Sequence, residues 1–498
     1  MKTPVMIDLS DTRVTPAERD LLSEGRVAAV CLFGRNVVDR FQLSDYVAEL
    51  RSLAGSDLIV AIDQEGGGVL RLRDVPFPPA AMSLGSADDE LLTERVAAAT
   101  GRGLRSVGVN LDFAPVADVN SNPDNPVIAD RSFGSDPDLV SRHVTAFVRG
   151  LQGEGVAATL KHFPGHGDTD VDSHLALPTL RHAADHLEAV DLPPFRAGIA
   201  AGVAAIMSAH ILMPEIDAQL PATLSRQAMH GLLRTTMGFR GVIVTDALDM
   251  RAIKDNWAAP QAAVMSLKAG ADLPVVIGTA AENRAVLDEV ESAAADGRLA
   301  PAEYAASQAR VAALAERFPA GAWQPGDAWR SDGSDEELLG EAASRGLVLR
   351  GDPPALTAGD RIILVAREQV FTNAAAQVKV RPATSLATAL GEAGIAVTRF
   401  ASDDLNLDEV ARAARTGARP AAIVFASTTR LRIKADEAAT ARAVADVARA
   451  VGVPFLHVAL WNPYSAADVP GPTVVAFGHA PREAAAVVRS LVTRRSGA

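Results

Sequence analysis

The chain has 498 residues, 48% hydrophobic and 22% charged, which fits about two to four domains of roughly 100–200 residues each and excludes a mainly disordered protein. Lys and Arg total 48 against 61 Asp and Glu, a net charge of −13, so the surface on average repels phosphate backbones and argues against nucleic acid as the main partner. One cysteine, Cys31, excludes an intramolecular disulfide and a multi-thiolate zinc site.

The opening MKTPVMIDLSD lacks a charged leader followed by a long apolar stretch and a small-residue cleavage site. No apolar run approaches the roughly 18–20 residues that span a bilayer. A cytoplasmic protein with no membrane partner is expected.

In chain order, apolar runs at 5–9, 27–33, 58–63, 109–116, 156–162, 204–210, 242–246 and 271–277 read as eight strands separated by helical patterns. After the first, Thr15-Pro16-Ala17-Glu18 reads as a helix-opening capping box. Before the seventh, a helix over 225–237 starts on Ser225, places Met229, Leu232, Leu233 and Met237 at core spacing, and stops before Gly238. Eight strands alternating with helices fit a (β/α)8 barrel better than an open sheet, because the polar clusters fall at strand carboxyl ends, where barrel enzymes gather their catalytic groups.

Helices near 281–297 and 301–317 precede a Pro/Gly/Asp/Ser-rich stretch at 319–335 with the composition of a linker. Beyond it, runs at 361–366, 395–400, 421–426, 454–459 and 474–477 read as buried parallel strands. The expected architecture is therefore α/β: a barrel over 1–318, a linker over 319–335, and a smaller α/β sandwich over 336–498.

The densest polar cluster is KHFPGHGDTDVDSH (161–174), with three His, three Asp and one Lys in fourteen residues. It leaves the fifth strand and should overhang the barrel mouth. Asp172 and His174 can meet if the backbone turns, letting the carboxylate orient the imidazole for proton transfer. Asp246, ending GVIVTD, reads equally as a helix cap and as a carboxylate nucleophile for an anomeric carbon. Asp249 reads as a cap or support. The glycines of DQEGGG (63–68) lack the Lys-Ser/Thr of a P-loop and the spacing of a dinucleotide site. They read instead as a turn presenting Asp63 and Arg71, with Glu65 bracing it. Arg131 is a surface ion pair or a substrate donor, and of Asp112 and Asp118 at least one is structural. Lys161, leaving a buried strand, must reach a hydroxylated ligand or a neighbouring Asp. Cys31 is assigned to packing.

The strings CLFGRN (31–36), DQEGG (63–67), DFAPVADV (112–119), DRSFG (130–134), KHFPGHGDTDVDSH (161–174) and GVIVTDALDM (241–250) together resemble glycoside hydrolase family 3, in its bacterial β-N-acetylglucosaminidase branch. The resemblance implies a two-domain fold and release of terminal N-acetylglucosamine from β-linked glycans with retention of configuration. It maps the nucleophile onto Asp246, the acid/base onto His174 held by Asp172, and sugar binding onto Asp63, Arg71, Arg131, Lys161 and His162. It implies no metal and no cofactor. A histidine base, unlike a carboxylate, does not repel an incoming anion, so inorganic phosphate is an alternative acceptor to water and a phosphorylase the alternative activity. A metal-dependent barrel hydrolase built on the His/Asp loop is a remote further reading. One departure is Gly68, where the family commonly has Arg. Muropeptide, chitin fragment and glycoconjugate stay open as the aglycone, and the oligomeric state is not readable.

Overall fold

Eight short strands close into a parallel barrel in the computed structural model, which describes residues 1–320, 333–371, 379–429 and 431–492. They are β1 (Thr3–Asp8), β2 (Val27–Leu32), β3 (Ile59–Ile62), β4 (Leu111–Asp112), β5 (Ala157–Phe163), β6 (Ala205–Ser208), β7 (Val242–Ala247) and β8 (Leu273–Val276). Each pairs with the next, and β1 pairs with β8 through Met6–Val275 and Ile7–Val276. Alternate residues converge in one core: Cys31, Ile59 and Ala61, Leu111, Val242 and Val244, Leu273 and Val275 lie in it with Met6, Ala157 and Met207. Every strand contributes, as a packed barrel interior requires. Cys31 is buried there, as its packing role anticipates.

The capping box forms: the Thr15 hydroxyl accepts from the Glu18 amide while Glu18 reaches back to the Thr15 backbone, opening the helix Pro16–Ser23. Two local expectations are corrected. The fourth strand is shorter than 109–116 because Pro115, lacking an N–H, interrupts its ladder; pairing resumes at Val116 with Lys161. The segment after Ser225 winds with π-type hydrogen bonds over Gln227–Thr236, Met237 N–H donating to Leu232 O at 2.9 Å. Met229 and Leu233 are buried as expected, but i→i+5 winding turns Arg234 inward in place of Leu232 and Met237, and Arg234 ion-pairs with buried Asp272.

Contacts divide the chain into two compact units, the first spanning 1–78, 89–128 and 132–336, the second 79–88, 129–131 and 337–498. Of the expected linker, residues 321–332 lie outside the described residues. The second unit adds β9 (Val348–Arg350), β10 (Arg361–Ala366), β11 (Val370–Phe371), β12 (Lys379–Val380), β13 (Ala396–Ala401), β14 (Ala422–Ser427), β15 (Phe455–Ala459) and β16 (Thr473–Val475). Six of them form one sheet in the order β13-β10-β14-β15-β16-β9, and β11 and β12 form a separate two-stranded ribbon. Ile362 and Leu364 face one helical layer and Ile363 and Val365 the other, which makes the α/β sandwich. The expected parallel strands form, with two differences. β13 is half-exposed because it is an edge strand, and β9, too short and too exposed to read as a strand, adds antiparallel to β16. Buried Trp461 donates its indole N–H to Asp130 at 3.0 Å within this unit. Among the described residues no helix is long and apolar enough to cross a membrane.

Candidate active site

Polar residues concentrate where the barrel strands end. Asp8 closes the ring there: its carboxylate accepts from Gly278 N–H at 2.9 Å and Asn283 at 3.2 Å, tying β1 to the turn after β8. Asp63 follows β3 directly. It accepts from Arg71 at 2.9 Å and from Lys161 at 2.8 Å, so β3, the glycine turn and β5 meet on one carboxylate. Gln64 shapes that turn, its side-chain oxygen accepting from the amides of Arg71 and Leu72 at 3.1 and 3.2 Å. Gly66 and Gly67 take φ of +112° and +51°, a region that disfavours residues with a Cβ. Lys161 is almost wholly buried and also ion-pairs with Glu65. A desolvated ammonium needs this second carboxylate, so Glu65 does more than brace the turn.

Asp112, ending β4, is buried beside this group. Its Oδ1 accepts from Gln64 N–H at 2.9 Å, and its Oδ2 has no hydrogen-bond partner. Burial pushes its carboxyl up to about 8, so at neutral pH it carries a proton and adds no charge to the Asp63, Glu65, Lys161 and Arg71 network. The folded state then holds a proton that the unfolded chain releases near pH 4, so stability falls as pH rises from about 4 to 8. Asp112→Asn, isosteric with the protonated acid, is expected to keep activity within a few-fold. Its melting temperature relative to wild type should climb between pH 5 and pH 8. A constant difference across that range would show Asp112 to be ionised.

The loop after β5 is organised by Asp118, which sequence reasoning left as one of two candidates for a structural role. Fully buried, it accepts from the amides of His162 and His166 at 3.0 and 2.8 Å and holds the His162 ring through Nδ1 at 2.7 Å. Burial pushes the Asp118 carboxyl up, but the His162 charge and these hydrogen bonds outweigh it, and the group sits below the ordinary carboxylate range. A Cβ on Gly167 would lie 1.7 Å from Val119 O, so only glycine lets the loop pass there. His166 meets Thr169 at 2.6 Å through Nδ1 and Ser173 at 3.1 Å through Nε2, which fixes the stretch that carries the next pair.

That pair is Asp172 and His174. One carboxylate oxygen of Asp172 accepts from the His174 amide at 2.9 Å and its ring Nδ1 at 2.7 Å. The arrangement puts the proton on Nδ1 and leaves Nε2 as the working nitrogen. The imidazole is 40% exposed, within reach of solvent as a proton shuttle must be.

Asp246 stands near the end of β7, with one oxygen accepting from Ala247 N–H at 2.8 Å. Burial raises its pKa, but the charges of His210, His162 and His174 draw it below the ordinary carboxylate value. The charge of the loop histidine thus reaches the nucleophile candidate. His210 was missed in the sequence. It follows β6, donates from Nε2 to Ala247 O at 2.9 Å and meets Thr223 at 2.8 Å through Nδ1. A histidine at a strand's carboxyl end was the available signal. Asp249 is half-buried and its carboxyl is pushed up by burial.

The structure thus joins Asp63, Arg71 and Lys161 in one ion-pair network and pairs His162 with Asp118 and His174 with Asp172, while Asp246 feels the charges of His210, His162 and His174. Arg131 lies in a 3-10 turn, Ala129–Arg131, whose contacts group it with the second unit.

A closed parallel barrel with acids and imidazoles gathered at its strand ends and in the loops that follow them is the ground plan of a barrel enzyme. The sequence pattern described as the glycosyl hydrolase family 3 N-terminal domain matches residues 5–314. The chain belongs to glycoside hydrolase family 3. Beta-hexosaminidase A of Pseudoalteromonas piscicida is 37% identical over 337 residues, 62% of this chain and 56% of that protein, so the match spans little more than half of that relative. Beta-hexosaminidase of Stenotrophomonas maltophilia strain K279a is 39% identical over 279 residues, 55% of this chain and 82% of the relative. Among solved structures, a family 3 β-N-acetylglucosaminidase from Paenibacillus sp. str. FPU-7 superposes with a TM-score of 0.89 at 33% identity, covering 98% of this chain and 95% of that one.

Proposed function

We propose that this chain is a retaining, exo-acting β-N-acetylglucosaminidase that releases terminal N-acetylglucosamine. The observation that carries the reading is the pairing of Asp172 with His174 at 2.7 Å through Nδ1, together with Asp246 near the end of β7, its carboxyl drawn below the ordinary value by the neighbouring His210, His162 and His174. Asp246 attacks C1 while His174, protonated, gives its Nε2 proton to the departing oxygen. The C1–O bond to the aglycone breaks as the bond to Asp246 forms through an oxocarbenium-like transition state. Neutral His174 then takes a proton from water, which displaces the aspartate and frees the sugar with its configuration retained. Asp63, Arg71 and Lys161 are donors and acceptors for sugar hydroxyls, and His162 completes the binding set of the first unit. The names of the relatives at 37% and 39% identity support the hexosaminide preference.

The test is product identification. The enzyme is incubated with an aryl β-N-acetylglucosaminide with and without millimolar phosphate, and products are separated by mass spectrometry. Free N-acetylglucosamine as the main product in both incubations is expected. N-acetylglucosamine 1-phosphate as the main product when phosphate is present would replace the hydrolase with a phosphorylase.

A further inference from the structure

Three side chains outside the catalytic group form a second cluster in the first unit. His182 precedes the short helix Ala184–His186, which supplies His186 and runs into the turn Leu187–Asp191, which supplies Asp191. Their candidate donor atoms all lie within 4.8 Å of one another. We propose that His182, His186 and Asp191 bind a divalent transition-metal ion of the zinc class, with Asp168 orienting His182 from the outside.

Four observations carry this. The set of two imidazoles and one carboxylate is a zinc-type donor set. Asp191 Oδ2 lies 3.1 Å from His182 Nδ1 and 3.9 Å from His186 Nε2. Two donors about 2.0–2.1 Å from a tetrahedral zinc stand about 3.3 Å apart, so small side-chain rotations complete the geometry. His182 Nε2 meets Asp168 Oδ2 at 2.8 Å, the carboxylate–histidine arrangement that fixes a metal-binding tautomer and turns the opposite nitrogen toward the ion. Finally, Asp191 Oδ1 and His186 Nε2 are buried polar atoms without a hydrogen-bond partner. Buried atoms of this kind are costly unless something satisfies them, and a cation bound at this cluster would do so.

The placement gives the ion a consequence. A Cβ on Gly165 would lie 2.8 Å from Asp191 Cβ, so Asp191 packs against the start of the loop that carries Asp172 and His174, and His182 lies beyond its end. An ion here ties both ends of that loop to one point. It departs from the expectation of no metal, and it takes no part in the proposed glycosidase chemistry, whose tests neither need nor involve it.

The experiment uses the untagged full chain, stripped with chelator and titrated calorimetrically with zinc. One ion per chain at micromolar or tighter affinity is expected, with a melting temperature that rises on saturation. His186→Ala and His182→Gln should abolish binding under the same conditions, and Asp168→Asn should weaken it about 10–100-fold. The X-ray absorption spectrum of the zinc-loaded wild type should show two imidazoles in the coordination shell, a readout that needs no variant to fold. Absence of binding at 1 mM zinc overturns the proposal. So does a shell with one imidazole or none, or binding that survives His186→Ala but is lost in His174→Ala, which would put the ion on the catalytic pair.

Discussion

Asp246→Ala is expected to lower kcat/KM for an aryl β-N-acetylglucosaminide by about 10³–10⁵-fold, because the covalent route vanishes and only binding and proton transfer remain. The magnitude follows from how Asp246 is held. Burial alone would push its carboxyl up, away from the ionised form a nucleophile needs. Here the charges of His210, His162 and His174 overcome burial and leave its pKa below the ordinary value. The acid limb of the kcat/KM profile should therefore lie below the usual carboxylate range, with activity present above that limb and lost as pH falls through it. Azide gives a sharper readout. In the space left by the carboxylate, it should attack C1 opposite the aglycone, restore turnover and yield the α-glycosyl azide. Wild-type turnover by Asp246→Ala without azide would remove the nucleophile assignment.

What could be read from the sequence follows the range of the interactions involved. Barrel strands such as β2 and β7 are continuous apolar runs because both faces are buried, and that is a local signal. The pairing of Asp172 with His174 was readable because it spans two residues. Asp118 could not be separated from Asp112 in the same way, since its partners His162 and His166 lie 44 and 48 residues away and only closure of the barrel brings them together. Glu65 is a like case: its ion pair with Lys161 joins β3 to β5. Opposite outcomes for Asp112 and Asp118 follow from their neighbours. Asp118 meets an imidazole and two amides and stays charged, while Asp112, beside carboxylates that already hold the local cations, takes a proton. No local pattern in DFAPVAD distinguishes the two. The inward turn of Arg234 to Asp272 and the pairing of Asp130 with Trp461 likewise join residues far apart in the chain.

The division of labour proposed for Asp172 and His174 predicts how the two variants combine. His174→Ala should cost about 10²–10⁴-fold on substrates whose leaving group needs a proton. It should cost far less in the bond-breaking step for a dinitrophenyl glycoside, whose leaving group departs as a stable anion. In the proposed mechanism Asp172 acts through the ring it orients, by bonds of 2.7 and 2.9 Å to His174, as a positioning residue. Asp172→Asn alone should lower kcat with little change in KM, and added to His174→Ala it should cost almost nothing more, because the group it positions is gone. Full additivity of the two losses would mean that Asp172 touches substrate on its own account. Azide again separates the roles. With His174→Ala, the glycosyl–Asp246 bond still forms and azide displaces it from the aglycone's side, giving the β-glycosyl azide. The α product from Asp246→Ala and the β product from His174→Ala are the two stereochemical halves of one double displacement; if the two anomers were exchanged, the acid that captures carbon and the imidazole that moves the proton would have to be exchanged with them.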